Sequence, residues 1–329
     1  MESITKNRQS PATLRAMIER AYGPDQVPAD DPGWYSELGH GWFNVAYLIR
    51  LRGGDRVVLK IAPPPHVQVM TYEHGAMDIE LASLRLIREN TAVPVPDVHF
   101  ADHSRELCDA GYFFMPYIDA DNFGIVRDTL STAERAAYDE TLGAATRDLN
   151  AIRGRWFGPI AGPGEPTWRA AFTRMIGDVL ADGERRTVDL GYGYDLVRSV
   201  ITEHQDCLDE VTEPRFVEWD LWDSNVMIGG GEIVCVIDHE RAFYGDHLME
   251  AGFTAIDLPA FGDPTAFLRG YGQAELTATE RRRRNLYTLY LILIMIIETN
   301  YRGHTDTVQC DWARDRLHEV MALFGRAGR

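Results

Sequence analysis

Two short apolar runs in the second half of the chain begin and end on side chains that carry oxygen. Trp219-Asp220-Leu221-Trp222-Asp223-Ser224-Asn225 is followed by Val226-Met227-Ile228, the turn residues Gly229-Gly230-Gly231-Glu232, the run Ile233-Val234-Cys235-Val236-Ile237, and then Asp238-His239-Glu240. The runs and their Gly-rich joint predict a β-hairpin. A hairpin brings its open ends together, so Asn225 and Asp238, which flank those ends, are expected with Cα atoms roughly 5 Å apart, close enough to share one cation. Ligands that offer only oxygen suit Mg²⁺ better than zinc. Asp220, five residues before Asn225, falls on a short loop beside that cation, where a carboxylate can take the proton of a substrate hydroxyl. These roles make a phosphoryl-transfer centre. An Asp-rich surface turn before an ordinary hairpin has the same local spelling, so the surrounding elements must decide.

Upstream, β-type runs at 34–38, 45–51 and 56–62 enclose Gly39-His40-Gly41-Trp42-Phe43-Asn44 and a Gly53-Gly54-Asp55 turn. The loop with Gly39 and Gly41 therefore joins strand to strand. A dinucleotide-binding loop runs from strand into helix, so this context favours a hairpin lid over phosphates; an ordinary hairpin turn fits the same residues. Lys60 shares a strand face with Val58 and Ala62, a surface that suits a nucleotide with Lys60 on its phosphates; a solvated lysine on an exposed face is the other reading. A helix is expected over 72–89, with Met77, Glu80, Leu84 and Ile87 along one stripe. Glu80 is then a carboxylate among apolar neighbours and needs a partner, for which Lys60 is the natural choice. Edge-of-stripe exposure is the alternative, and Glu73 is the runner-up on the same face.

After the extended Val93-Pro94-Val95-Pro96 comes Tyr112-Phe113-Phe114-Met115-Pro116-Tyr117-Ile118, and beyond Asp119 the pattern is mainly helical. A capping box at Ser131 and Glu134 opens a helix to about 152, and others are expected over 168–182, 194–211 and 311–324. The apolar run Leu286–Ile297 falls short of the ~18 residues that span a bilayer and reads as a buried core helix, with Arg281–Arg284 as its solvated first turns. These features give an α+β chain of two lobes: residues 1–118, an antiparallel sheet with a helix, and residues 119–329, helical apart from the catalytic hairpin.

The 329 residues can bury a substantial core. Fifty acidic residues against 33 basic ones give a formal charge of −17, which argues against nucleic acid or an anionic membrane as partner and leans weakly towards a cationic small molecule. Cys108, Cys207, Cys235 and Cys310 lack the close pairing of a zinc site or a disulfide framework. Residues 1–8 have no apolar core of a secretory signal. A cytoplasmic protein is the expectation.

The order of parts, with Trp219–Asn225 and Ile237-Asp238-His239-Glu240-Arg241-Ala242 as its specific portion, resembles the aminoglycoside phosphotransferase family, which shares the protein-kinase-like fold. The resemblance covers most of the chain. It implies that Asp220 is the catalytic base, that Asn225 and Asp238 bind Mg²⁺, that Lys60 holds the α- and β-phosphates and that Glu80 fixes Lys60. Met115 to Ile118 would be the hinge that receives adenine, through the carbonyl of Pro116 and the N–H of Ile118. Two positions depart from the family pattern: Glu218 stands where a histidine commonly precedes the catalytic aspartate by two residues, and Asn150 stands where members often carry histidine. Glu240 reads as a loop-holding residue or a metal contact through water, and His239 and His247 as local structural residues.

The resulting expectation is an ATP- and Mg²⁺-dependent kinase of a hydroxyl on a small, cationic molecule such as an aminoglycoside antibiotic, the choice between ATP and GTP being open. Choline-like amino alcohols or sugars are the metabolic alternative, and a regulatory pseudo-phosphotransferase that binds nucleotide is the alternative from another class. Asp246, Glu250, Asp257, Asp263 and Glu298 are candidates for an acidic acceptor pocket, against capping or surface roles for each. No G-x-S-x-G segment supports a hydrolase.

Overall fold

Short β-rich runs separated by turns build the first sheet. The computed structural model of the chain describes residues 3–30, 32–39, 41, 43–304 and 307–326; His40 and Trp42 of the glycine loop lie outside them. Strands β1 (Tyr35–Glu37), β2 (Val45–Arg50), β3 (Arg56–Ile61), β4 (Phe100–Asp102) and β5 (Tyr112–Pro116) form one antiparallel sheet in the order β1-β2-β3-β5-β4. Helix α1 (Pro11–Tyr22) starts on Ser10, whose side chain accepts the Thr13 N–H, with proline in the first turn where its missing donor is not needed. Leu14, Met17 and Ile18 of α1 pack on Val45, Tyr47 and Ile49 of β2 and on Val57, Leu59 and Ile61 of β3. Each such side chain contributes about 1.5–3 kcal/mol when fully buried.

Packing divides the chain into two units. The first takes the described residues up to Val69 with Pro96–Asp119 and Tyr301–His304; the second takes Met70–Val95, Ala120–Asn300 and the described residues beyond. Helix α2 (Ala76–Asn90) thus groups with the second unit, although it was read above as part of the first lobe. It starts at Ala76 rather than 72 because Gly75, at φ 76°, separates it from a 3₁₀ turn at Thr71–Glu73.

The second unit continues with β6 (Asp121–Asn122), α3 (Phe123–Val126), α4 (Thr132–Leu149), β7 (Gly158–Pro159), α5 (Trp168–Arg185), α6 (Tyr194–His204), β8 (Arg215–Val217), β9 (Val226–Gly229), β10 (Glu232–Val236), β11 (Phe243–Gly245), α7 (Thr254–Asp257), α8 (Thr265–Tyr271), α9 (Ala278–Tyr301) and α10 (Val308–Leu323). Its strands form two small sheets, β10-β9-β6 and β7-β11-β8, the second of which the sequence did not signal. The expected capping box opens α4: Ser131 Oγ accepts the Glu134 N–H while Glu134 Oε2 accepts the Ser131 N–H. The last turns expected of α6 tighten to a 3₁₀ segment at Gln205–Glu210. Helix α8 lies so close to α4 that a Cβ on Gly143 would come within 2.1 Å of the Phe267 carbonyl oxygen, and one on Gly270 within 1.8 Å of that of Glu140.

Helix α9 is the core helix expected around Leu286–Ile297, extended at both ends, and no helix among the described residues is long and apolar enough to cross a membrane. Its arginines correct one expectation. Arg283 and Arg284 are 5% and 1% exposed rather than solvated. Arg283 donates to Asp246 and Glu210, and Arg284 to Asp257, Thr288 and the Leu248 carbonyl, so buried carboxylates and a carbonyl replace the water these cations would lose.

Candidate active site

The hairpin forms as its turn residues require. Gly230 and Gly231, at φ 63° and 88°, make the two-residue connection between β9 and β10, a geometry that side chains disfavour. At the open end the Ile237 N–H donates to the Asn225 carbonyl at 3.0 Å, which puts Asp238 one residue beyond the pairing. Asp238 has φ 72°, and Trp219, just before Asp220, has φ 62°. Left-handed backbone at a non-glycine residue costs of order 1 kcal/mol or more and persists where surrounding contacts impose it. Here β8 and β11 pair with Val217 opposite Phe243, so the loop that leaves β8 and the loop that enters β11 are tied at one point.

Asp220 sits on a tight loop, with its N–H on the Glu218 carbonyl and its own carbonyl accepting from the Trp222 N–H and the Asn225 side-chain amide. Its carboxylate is 24% exposed. The Trp222 indole N–H donates to Oδ1 at 2.9 Å, and Arg241 Nε lies 3.4 Å from Oδ2. Burial pushes this carboxyl up to about 6; Arg241 opposes the rise, while Asp238 and Glu298 add to it. Arg241 also lies 3.5 Å from Glu298 and over the rings of Tyr72 and Trp219.

The carboxylates of Asp238, Glu240 and Glu80 gather within 4.8 Å of one another. Glu80 is 1% exposed, so edge-of-stripe exposure does not apply to it. Glu73 is buried for another reason: its Oε2 accepts the Met70 N–H at the start of its own turn. Lys60 is in the first unit, opposite Ala46 and Phe113, with Nζ 5.9 Å from the Phe113 ring. At 7% exposed it is not a solvated surface lysine. Met115 and Pro116 end β5; the Tyr117 N–H then donates to the Arg56 carbonyl, and Ile118 follows. Gly39 has no positive φ, and a Cβ there would meet nothing within 4 Å; a Cβ on Gly41 would touch only the Asn44 carbonyl and Lys6.

Both departures from the family pattern have structural answers. Glu218 Oε1 lies 2.9 Å from His239 Nδ1, and His239 Nε2 lies 3.1 Å from the Val236 carbonyl. A ring that faces acceptors through both nitrogens donates from both, as an imidazolium. Burial disfavours that charge, but Glu218 together with Glu80 and the Val236 carbonyl raises the His239 pKa. His239 thus does more than local service: it ties the loop of Asp238 to the loop of Asp220. Asn150 donates to the Phe216 carbonyl and to Glu250 Oε1, and accepts from the Tyr271 hydroxyl.

Glu250 is the functional residue that sequence reasoning misplaced. Far from lining an acceptor pocket, it is 1% exposed, and its carboxyl accepts the backbone N–H groups of both Glu218 and Trp219 at 3.0 Å. Burial pushes it up to about 8 against the pull of those donors. Three other pocket candidates are also occupied. Asp246 accepts from Arg283 and the Tyr287 hydroxyl, Asp257 from Arg284 and Thr288, and Asp263 caps the start of α8 through Thr265. Glu298 alone of the five lies beside the Asp220–Arg241 pair.

The phosphotransferase enzyme family model, APH, matches residues 34–287. No curated protein sequence matches the chain. Among solved structures, the chain is similar to a thermostable mutant of aminoglycoside phosphotransferase APH(4)-Ia in ternary complex with AMP-PNP and hygromycin B, at 18% identity and TM-score 0.66 over 95% of this chain and 99% of that one. It is also similar to a candidate fructosamine-3-kinase from Thermobifida fusca, at 19% identity and TM-score 0.64 over 95% and 100%. A third is the streptomycin–ATP complex of APH(2")-IIa, at 15% identity and TM-score 0.61 over 94% and 96%. These likenesses show the two-lobed, protein-kinase-like α+β fold, and the family match over most of the sequence shows the rest: the chain belongs to the APH phosphotransferase enzyme family and is a phosphotransferase acting on an alcohol group.

Proposed function

We propose that the protein transfers the γ-phosphoryl group of ATP to a hydroxyl of a small molecule, with Mg²⁺ as its cation. The observation that carries this reading is the Asp220 carboxylate, partly open and fixed by Trp222 and Arg241, on a loop tied through β8 and β11 to the loop of Asp238. Asp220 orients the acceptor hydroxyl and takes its proton as the oxygen bonds to phosphorus. Asn225 and Asp238 would hold the metal. The donors fit a hard cation: three carboxylates gather within 4.8 Å of one another and offer only oxygen. Bound Mg²⁺ supplies neutralisation of phosphate charge.

Lys60 would meet the α- and β-phosphates, supported by Glu80. Gly39 and Gly41 leave backbone room for them. Met115 to Ile118 would receive the base through the Pro116 carbonyl and the Ile118 N–H, an edge that suits adenine and leaves GTP to be tested. Family membership supports a small-molecule acceptor, and the hygromycin B and streptomycin complexes and the candidate fructosamine kinase set the range to test, from aminoglycosides to sugars and amino alcohols. A role in antibiotic resistance and a cytoplasmic location belong to the same proposal.

The direct test is release of ADP from Mg-ATP with that panel, with ³¹P NMR of the product. We expect acceptor-dependent ADP release that requires Mg²⁺ and is lost in Asp238→Asn. Release that ignores the acceptor and survives Asp238→Asn would reject the reading.

A further inference from the structure

The acidic residues that the sequence suggests for an acceptor pocket are largely engaged within the protein. A polycationic acceptor needs several carboxylates free to meet its ammonium groups. Of the five acidic residues that the sequence offers as pocket candidates, Asp246, Glu250, Asp257 and Asp263 are held by arginines, backbone donors or a helix start. The fifth, Glu298, shares Arg241 with Asp220 itself, at 3.5 and 3.4 Å. Arg241 thus offsets part of the negative charge beside the proton acceptor.

The side of Asp220 that Trp222 occupies is aromatic. Trp222, whose indole N–H is on the Asp220 carboxylate, stacks on Phe261 with centroids 5.5 Å apart and planes 25° apart, and Phe261 meets Trp312 of α10 edge to face at 5.4 Å. All three rings are partly exposed. A hydroxyl in reach of Asp220 therefore places the rest of its molecule within a ring's width of Trp222. Aromatic side chains reward an apolar face laid against them, and a site lined by rings with few polar groups selects by shape and face.

We infer that the acceptor is an uncharged, ring-bearing alcohol, a glycoside or cyclic polyol that lays one apolar face on Trp222, Phe261 and Trp312, rather than a polycationic aminoglycoside. This rests on the reading of Asp220 as proton acceptor, and the experiment separates the two. Binding is measured by calorimetry on the full chain with Mg²⁺ and AMP-PNP, using methyl and phenyl glucosides, myo-inositol, choline, hygromycin B and streptomycin. ADP release is measured with the same compounds.

At least one neutral ring compound should bind about tenfold or more tightly than either antibiotic, and Trp312→Ala should weaken it about tenfold. In Arg241→Gln the preference should narrow towards the cations, with thermal melting as the control for folding. Binding of neutral rings without phosphorylation would defeat the phosphotransfer reading of Asp220 and leave the acceptor class standing. Tighter binding of hygromycin B or streptomycin, no binding by any neutral ring, or a Trp312→Ala variant that melts normally and binds normally would overturn the class.

Discussion

The hairpin with its flanking loops and the helical wall behind it use carboxylates in opposite ways. At the hairpin, Asp238, Glu240 and Glu80 gather within 4.8 Å of one another and Asp238 acts on the charge of Asp220, with Arg241 the only arginine seen in contact with Asp220 among the described residues. Along the start of α9, Asp246 and Asp257 are buried one by one against Arg283 and Arg284. The first arrangement gathers negative charge in one place, where we propose that a cation binds. The second neutralises charge within the protein, so it serves position rather than binding. Acidic residues thus serve differently in the two regions: along α9 each buried acid is matched to an arginine of the helix, whereas at the hairpin several are gathered close together.

The contrast breaks most sharply at Asp220. Substitution by Asn keeps the Trp222 hydrogen-bonding shape but removes the proton acceptor, and turnover should fall roughly 10²- to 10⁴-fold while nucleotide binding survives. Turnover within a few-fold of wild type would remove Asp220 from the chemistry. Next comes Glu250, which holds the loop from a buried position. Glu250→Ala would leave the buried N–H groups of Glu218 and Trp219 unsatisfied and should cost about 3 kcal/mol of stability. Glu250→Gln, which keeps one acceptor oxygen, should cost less and retain more turnover. Equal melting temperatures for wild type and Glu250→Ala would show that the loop is held elsewhere.

The candidate site was legible where its members are close in sequence. Asp220, Asn225 and Asp238 lie around one hairpin, and spacing alone assembles them. The strand lysine and the apolar stripe of α2 were legible as periodicity, although the left-handed Gly75 that delays the helix leaves little trace in a stripe of apolar residues. What holds the catalytic loop was not legible. Glu250 is 32 residues from Glu218 and 100 from Asn150, and no local pattern separates an acid that accepts backbone N–H groups from one that lines a pocket. Arg241 was visible only as the residue after Glu240; its contact with Asp220 depends on β8 meeting β11. The arginine run misled for a related reason, since four consecutive charges look solvated until the buried acids that receive two of them are known.

The built-in pairing along α9 has a pH signature. Burial alone would raise the Asp246 carboxyl, but His247, Arg283 and the Tyr287 hydroxyl override it and hold it down at about 2, against an ordinary 3.8. A carboxyl with a depressed folded-state pKa contributes stability that is complete above its unfolded value and is lost as pH falls towards the folded one. The shift is worth roughly 2 kcal/mol, given up between about pH 4 and pH 2. Asp246→Asn should flatten that part of the acid-unfolding curve by about this amount, whatever it does to stability at neutral pH. An unchanged acid limb would mean that the pair contributes nothing on folding.

The smallest expected effect asks whether open space in the first unit belongs to a ligand. Gly39 has an ordinary backbone conformation, and its missing Cβ would touch nothing within 4 Å, so neither strain nor packing accounts for a glycine there. Gly39→Ala should leave the melting temperature within the equivalent of about 0.5 kcal/mol of wild type, as for a substitution with no clash and no special φ. If phosphates lie against this backbone, the added methyl group intrudes on them, and KM for ATP should rise a few-fold with kcat nearly unchanged, the pattern of lost uniform binding. Asp220→Asn, by contrast, should lower kcat and leave ATP affinity alone, so the two variants measured side by side separate nucleotide binding from proton transfer. An unchanged KM for ATP in Gly39→Ala would assign the loop to an ordinary hairpin turn and leave phosphate contact to Lys60.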